Sequence, residues 1–245
     1  MLPAYKIVQM AAGSKSFPAE LPKESGSQGP VLAAPIRVST SSWRPWLETF
    51  WVFTLLEAVM WTPRSLGHSI LIALVTISPL WLSWRSGLSR KELGLTWPAL
   101  TATCWIILSG AAIATAFPIV AVLTGHPVPA NPDWPRLNNI LPYILWAFFQ
   151  QFLLQSFFFL RMESAVGSVA ALWLSTALFT VAHLPNLPLT ALTFFGALFF
   201  TDLFRRFRSI YPLGIVHAML GIAVAYTFPD SLMHHMRVGL SFGKF

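Results

Sequence analysis

Long apolar runs, separated only by short polar stretches, constrain this chain more than any other feature. The 245 residues are 55% hydrophobic and only 10% charged, whereas soluble domains carry about 25% charged residues. Several runs approach the roughly 20 residues that an α-helix needs to cross a bilayer. Inside hydrocarbon every backbone polar group must be satisfied internally, which favours helices. We therefore predict an all-α, polytopic transmembrane helix bundle.

The apolar runs divide into about seven segments, which we interpret as spans. Their approximate bounds are 46–61, 65–84, 97–123, 140–160, 166–183, 189–203 and 210–228. The sequence predicts a polar, basic N-terminal tail over residues 1–42, a transmembrane domain over 43–228 and a short C-terminal tail over 229–245. The lone cysteine, Cys104, lies in the third segment, and we predict a small core residue there.

The formal net charge of +7 is concentrated in the tail and in one set of loops. The loops richer in Lys and Arg are 85–92, 161–163 and 205–208, and the poorer ones are 62–65, 124–139 and 184–188. By the positive-inside rule, the N-terminus is cytoplasmic and the C-terminus lies on the opposite side. Because such residues meet anionic headgroups, we expect a lipid bilayer, a bacterial inner membrane, and not nucleic acid, as the partner of this charge.

Amides and imidazoles interrupt the apolar segments at a few positions. Gln151 and Gln155 are four residues apart and share one helix face, and Gln150 lies about 100° round from Gln151. His183 ends the fifth segment, and His217 lies in the seventh. Buried polar groups are costly in hydrocarbon, so we expect these side chains to face one inner cavity.

Three interpretations of this polar set stay open. The side chains could join helices by hydrogen bonds, line a catalytic cavity, or ligate a tetrapyrrole through His183, His217 or His68. No carboxylate or cysteine lies at ligand spacing beside the histidines, so we predict neither a metal site nor a resident cofactor. Glu57 lies inside the first segment, where a carboxylate needs a partner or nearby water.

Two stretches resemble the CAAX protease and bacteriocin-processing family of intramembrane endopeptidases. Phe179-Thr-Val-Ala-His183 resembles its Phe-x-x-x-His motif, and the Leu-Pro-Asn that follows is a usual continuation. The run from Arg206 to His217 resembles the basic turn before the family's last histidine. Weaker similarities are Glu163, Gly167 and Glu92-Leu-Gly-Leu95. The resemblance covers about residues 85–228 and implies a membrane-embedded helical fold.

The chain departs from the family at the residues that would do chemistry. Where the family carries Glu-Glu-x-x-x-Arg, this chain carries amides at Gln150, Gln151 and Gln155. The family's His-x-x-x-Asn or Asp motif reads His217-Ala-Met-Leu-Gly221. The resemblance implies that the first glutamate and the histidine of the Phe-x-x-x-His motif activate water, while the last motif stabilises the oxyanion. An amide cannot accept a proton from water, so the site is degenerate.

Glu57 is the candidate for a substitute base, because it also lies in the membrane. Asp202 is a weaker candidate, since Arg205 and Arg206 follow at three and four residues and should pair with it. We predict a non-catalytic relative of the family, acting as a scaffold, assembly factor or accessory subunit among other membrane-protein subunits. The alternatives are an atypical active endopeptidase that uses His183, and a pigment- or haem-binding membrane subunit.

Overall fold

The computed structural model describes residues 43–126, 128–130 and 137–243, and the predicted tail 1–42 lies outside them. This described part is helical and contains no strand, which confirms the predicted fold class. The longer helices are α1 (Arg44–Trp61), α2 (Leu66–Arg85), α3 (Leu100–Leu123), α4 (Leu137–Gln151), α5 (Leu160–Val166), α6 (Ser168–Val181), α7 (Leu187–Phe207) and α8 (Tyr211–Thr227). A π-helical segment, Phe152–Phe159, joins α4 to α5.

The predicted number of seven spans is not confirmed. Within the described ranges, 4 helices are long and apolar enough to cross a membrane, or up to 5 if a bent pair counts as one span. Helix α1 carries Arg44, Glu48 and Glu57 along its 18 residues. Helix α6 has only 14 residues, which span roughly 21 Å and fall short of a hydrocarbon core about 30 Å thick.

The rod formed by α4, the π-helical segment and α5 lies at the centre of the bundle. All eight residues of Phe152–Phe159 are buried, including the polar Gln155 and Ser156, so other parts of the bundle surround this segment. Extended π-helix is rare and is often found near functional positions. This segment begins directly after Gln151, so it overlaps the predicted amide motif and contains Gln155.

Glycines bring α8 into close contact with α3 and α4. A Cβ atom added at Gly110 would lie 2.3 Å from the nearest atom of Val216, and one at Gly214 would lie 2.6 Å from Phe148. A side chain at either position would therefore require Val216 or Phe148 to shift. Gly214 thus lets α4 approach α8 closely.

Ion pairs connect the ends of several helices. Glu163 at the end of the rod accepts a hydrogen bond of 2.6 Å from Nη2 of Arg208, which follows α7. Arg161 donates from Nε to Glu48 of α1 over 3.1 Å. The predicted pairing of Asp202 is confirmed, because Arg205 and Arg206 both bond its carboxylate at 2.7 Å.

The segment after α8 turns back across the bundle. A short helix, α9 (Asp230–Met233), begins it, and the chain through Met236 is bent by 119° from the axis of α8. Buried Asn186 donates to the carbonyl oxygens of Met233 and Arg237. The sequence predicts only a tail here, since nothing in its composition indicates where it would bind.

One local prediction is wrong. Cys104 is exposed on α3 instead of lying in the core. Helix α3 is apolar on all sides, so its sequence pattern does not distinguish the bundle-facing side from the side that faces lipid.

Candidate functional site

The rod presents three glutamines at the junction of α4 and the π-helical segment. Gln151 and Gln155 are fully buried, and Gln150 is partly buried. Gln155 donates from Nε2 to Oε1 of Gln151 over 3.4 Å, as their predicted common face requires. Gln155 also donates to the hydroxyl of Thr201 in α7 over 3.3 Å. The amides thus join the rod to a neighbouring helix.

The chain of amides continues to the last histidine. Gln151 Nε2 lies 3.0 Å from Nδ1 of His217. An amide nitrogen only donates, so Nδ1 accepts and the neutral ring carries its proton on Nε2. The ring of Phe200 stacks on the imidazole at 5.3 Å between centroids. His217 is therefore held as a neutral hydrogen-bond acceptor within an aromatic wall.

His183 occupies the carboxyl end of α6. Its Nδ1 lies 2.6 Å from the carbonyl oxygen of Phe179, and a carbonyl can only accept. The proton of the neutral ring is therefore on Nδ1, which leaves the lone pair on Nε2. The ring of Phe179 lies 4.7 Å from the His183 ring and 6.2 Å from the His217 ring, between centroids. The Phe-x-x-x-His stretch thus contacts both histidines.

These side chains line one cavity of about 140 Å³. Its polar lining consists of Tyr143, Gln150, His183, Thr193 and His217. The remaining wall is mainly apolar and includes Met236 and Val238 from the segment after α8. The structure therefore brings Gln150, Phe179, His183 and His217 together, while Gln151 and Gln155 lie behind the wall as its hydrogen-bonded support.

Gly221 is in contact with a tyrosine that the sequence reading missed. A Cβ atom at Gly221 would lie 1.6 Å from the hydroxyl oxygen of Tyr143. The space for a side chain at position 221 is thus filled from α4. Because Tyr143 lies eight residues before Gln151 and belongs to no motif, no sequence signal connects it with Gly221.

No carboxylate of the described residues lines this cavity. Glu57, the predicted substitute base, accepts a hydrogen bond of 3.1 Å from Nε1 of Trp61 on the same helix. Its neighbours Leu56 and Met60 contact the cavity, but Glu57 does not. The other described carboxylates bond to partners elsewhere: Glu48 to Arg44 and Arg161, Glu92 to Ser89, Glu163 to Arg208, Asp202 to Arg205 and Arg206, and Asp230 to His235.

The third candidate haem ligand is separated from the other two. His68 lines a different cavity, of about 420 Å³, together with Arg64 and Arg237. His183 and His217 line the smaller cavity without it. Across the described ranges, no three His, Cys, Asp or Glu side chains form a group that could hold a metal ion.

Comparison with known proteins gives one match. Residues 132–223 match the family model described as Rce1-like, type II CAAX prenyl endopeptidase Rce1-like. No curated protein and no solved structure matches the chain. The matched region contains the three glutamines, both histidines and Gly221. The resemblance seen in the motifs is thereby confirmed: residues 132–223 are similar to the Rce1-like CAAX prenyl endopeptidases.

Proposed function

We propose that this membrane protein is a non-catalytic relative of the CAAX prenyl endopeptidases, serving as a scaffold, assembly factor or accessory subunit of a membrane complex. The observation that carries the proposal is the hydrogen-bonded set Gln155–Gln151–His217 behind a cavity lined by no described carboxylate. Such a set has hydrogen-bond donors and acceptors but lacks the carboxylate that would take a proton from water in the related enzymes. These hydrogen bonds connect the rod to α7 and α8, so the set is suited to stabilising the packing of helices.

The expected loss of rate is large. A positioned general base contributes about 10²–10⁴-fold to a reaction, and Gln150 at the cavity wall cannot act as one. An oxyanion donor contributes about 10²–10³-fold, and Gly221 has no side chain to supply it. The two effects concern proton transfer and charge stabilisation separately, so together they would leave little turnover.

An activity assay on the full chain in lipid nanodiscs tests this proposal. The substrate is a prenylated CAAX peptide, chosen because the family description names it. We expect no peptide release above the protein-free rate, and the same result for His183→Ala. Release by the unchanged chain that disappears in His183→Ala would show an enzyme and overturn the proposal.

Gentle purification from the native membrane tests the role in a complex. We expect other membrane subunits to copurify in fixed ratio with the chain. Recovery of the chain alone, under conditions that keep known membrane complexes intact, would contradict a scaffold or subunit role.

One observation favours an atypical endopeptidase as the second candidate. His183 lines the cavity, and its Nε2 bears the lone pair when Nδ1 donates to Phe179. An imidazole in this form can accept a proton by itself. The peptide assay separates the two candidates, because only the enzyme requires His183 for cleavage.

A further inference from the structure

A second polar cavity, of about 210 Å³, lies away from the glutamines. It is formed where the start of α1, the end of α2 and the rod meet, and its polar lining consists of Arg44, Glu48, Ser86, Arg161 and Ser164. It shares no lining residue with the glutamine–histidine cavity. The proposed function makes no use of it.

Two guanidinium groups share one carboxylate in this cavity. Oε1 of Glu48 accepts a hydrogen bond of 2.7 Å from Nε of Arg44, and Oε2 accepts one of 3.1 Å from Nε of Arg161. The three side chains therefore keep one net positive charge. The two serines of the lining are neutral, and both donate their hydroxyl protons to main-chain carbonyls: Ser86 to Ser83 and Ser164 to Arg161.

Arg161 has donors that the fold leaves unused. Its side chain is only 5% exposed, and within the described part of the chain Nη2 has no hydrogen-bond partner. The ring of Phe157 covers one face of the guanidinium at 4.1 Å. A buried charged donor without a partner is costly. Because Arg161 lines this cavity, an acceptor that binds there and reaches Nη2 would relieve that cost.

We propose that this cavity binds the phosphate of an anionic phospholipid. A phosphodiester carries one negative charge, which matches the net charge of the cluster, and arginine pairs favour phosphate oxygens. Arg44 supplies the accessible side, since its side chain is 58% exposed. Arg161 supplies the buried side.

The surroundings favour a lipid headgroup over free phosphate. Trp43 and Trp84 next to this end of α1 and α2 are 70% and 78% exposed, as is typical of side chains at the membrane–water boundary. Basic pockets between membrane helices at that level bind anionic headgroups. The volume is below the roughly 300 Å³ of small-molecule pockets, which suits a headgroup whose acyl chains remain outside.

Native mass spectrometry of the full chain in detergent tests the proposal, with phosphatidylglycerol and phosphatidylcholine as probes. We expect retention of phosphatidylglycerol by the unchanged chain, and about fivefold weaker binding in Arg44→Gln. Arg206→Gln is the matched control, because Arg206 is a half-exposed arginine that pairs with Asp202 instead. This control should bind like the unchanged chain.

Arg161→Gln should lower retention further, but it also breaks the pair with Glu48 and can fail to fold. Arg44→Gln therefore decides the result. Equal retention of the two lipids, or unchanged binding in Arg44→Gln, would overturn the proposal. So would displacement of the lipid by inorganic phosphate at equal concentration, which would indicate a site for the free anion.

Discussion

The central rod contributes to two regions that differ in charge: the glutamine–histidine cavity near one end and the ion-paired helix ends at the other. Gln150 and Glu163 are 13 residues apart along this rod. At one end amides and imidazoles bond to each other, with no described carboxylate at the cavity wall. At the other end Glu163 and Arg161 pair with Arg208 and Glu48. The chain thus uses ion pairs to join helices at one end and neutral groups at the other.

The difference illustrates how the cost of burial depends on charge. An isolated charge deep in a membrane protein needs partners or water, whereas an amide needs only hydrogen bonds. Removing charge from the cavity therefore makes it less costly to bury. If that view is correct, substitutions at the ion-paired end should have the larger effects on stability, and substitutions at the neutral end the smaller ones.

The largest effect is expected at the buried ion pair. Glu163→Ala leaves Arg208 without its carboxylate, and we expect a loss of about 3–5 kcal/mol in the free energy of unfolding. Asp202→Ala is the control, because that carboxylate is 32% exposed and should lose about 1 kcal/mol or less. Unfolding in lipid nanodiscs measures both. Equal losses of stability in Glu163→Ala and Asp202→Ala would contradict the expectation that the buried ion pair contributes more than the exposed one.

A side chain at position 221 is expected to come next. Gly221→Ala places its methyl group on the hydroxyl of Tyr143, and such overpacking costs about 1–3 kcal/mol. In the presence of Tyr143→Ala, the same change should cost far less, because the obstructing ring is gone. A double-mutant cycle measures this coupling. If the stability losses of Gly221→Ala and Tyr143→Ala are additive in the double mutant, Tyr143 does not occupy the space of a side chain at position 221.

The neighbouring glutamines provide a matched pair of smaller effects. Gln151→Leu leaves Nδ1 of His217 and one donor of Gln155 without a partner, and we expect a loss of about 1–2 kcal/mol. Gln150→Leu should change stability little, since Gln150 makes no side-chain hydrogen bond to the described residues. The same unfolding measurement compares the two. A reversed order would refute the assignment of Gln151 as the supporting amide.

The smallest effect is expected in the loop before α3. The hydroxyl and backbone amide of Ser89 donate to Glu92 at 2.7 Å and lower the pKa of its carboxyl. A lowered pKa means that this stabilisation is complete above the ordinary value of about 4.3 and is lost as the pH falls through the folded-state pKa. The protection of the loop amides, measured as the ratio of intrinsic to observed hydrogen-exchange rate at each pH, should therefore fall in acid. Glu92→Gln should remove that pH dependence.

Local rules in the sequence predicted much of the helical part of this site. The length of the apolar runs predicted the helices, and the spacing of four residues predicted that Gln151 and Gln155 would share one helix face. The same kind of spacing predicted the pairing of Asp202 with Arg205 and Arg206. Contacts such as Arg161 with Glu48, 113 residues apart, could not be predicted, because no periodicity relates positions on distant segments.

The sequence by itself determined that this chain is a helical membrane protein and that glutamines stand where the family it resembles carries a charged motif, because hydropathy and residue identity are properties of the chain alone. Only the tertiary structure decided that Tyr143 fills the space beside Gly221, that Glu57 lies off the cavity and that Met236 and Val238 line it. Those facts depend on how separate helices pack. Contacts between side chains on different helices depend on how closely and at what angle the helices pack, and that packing exists only in the folded bundle.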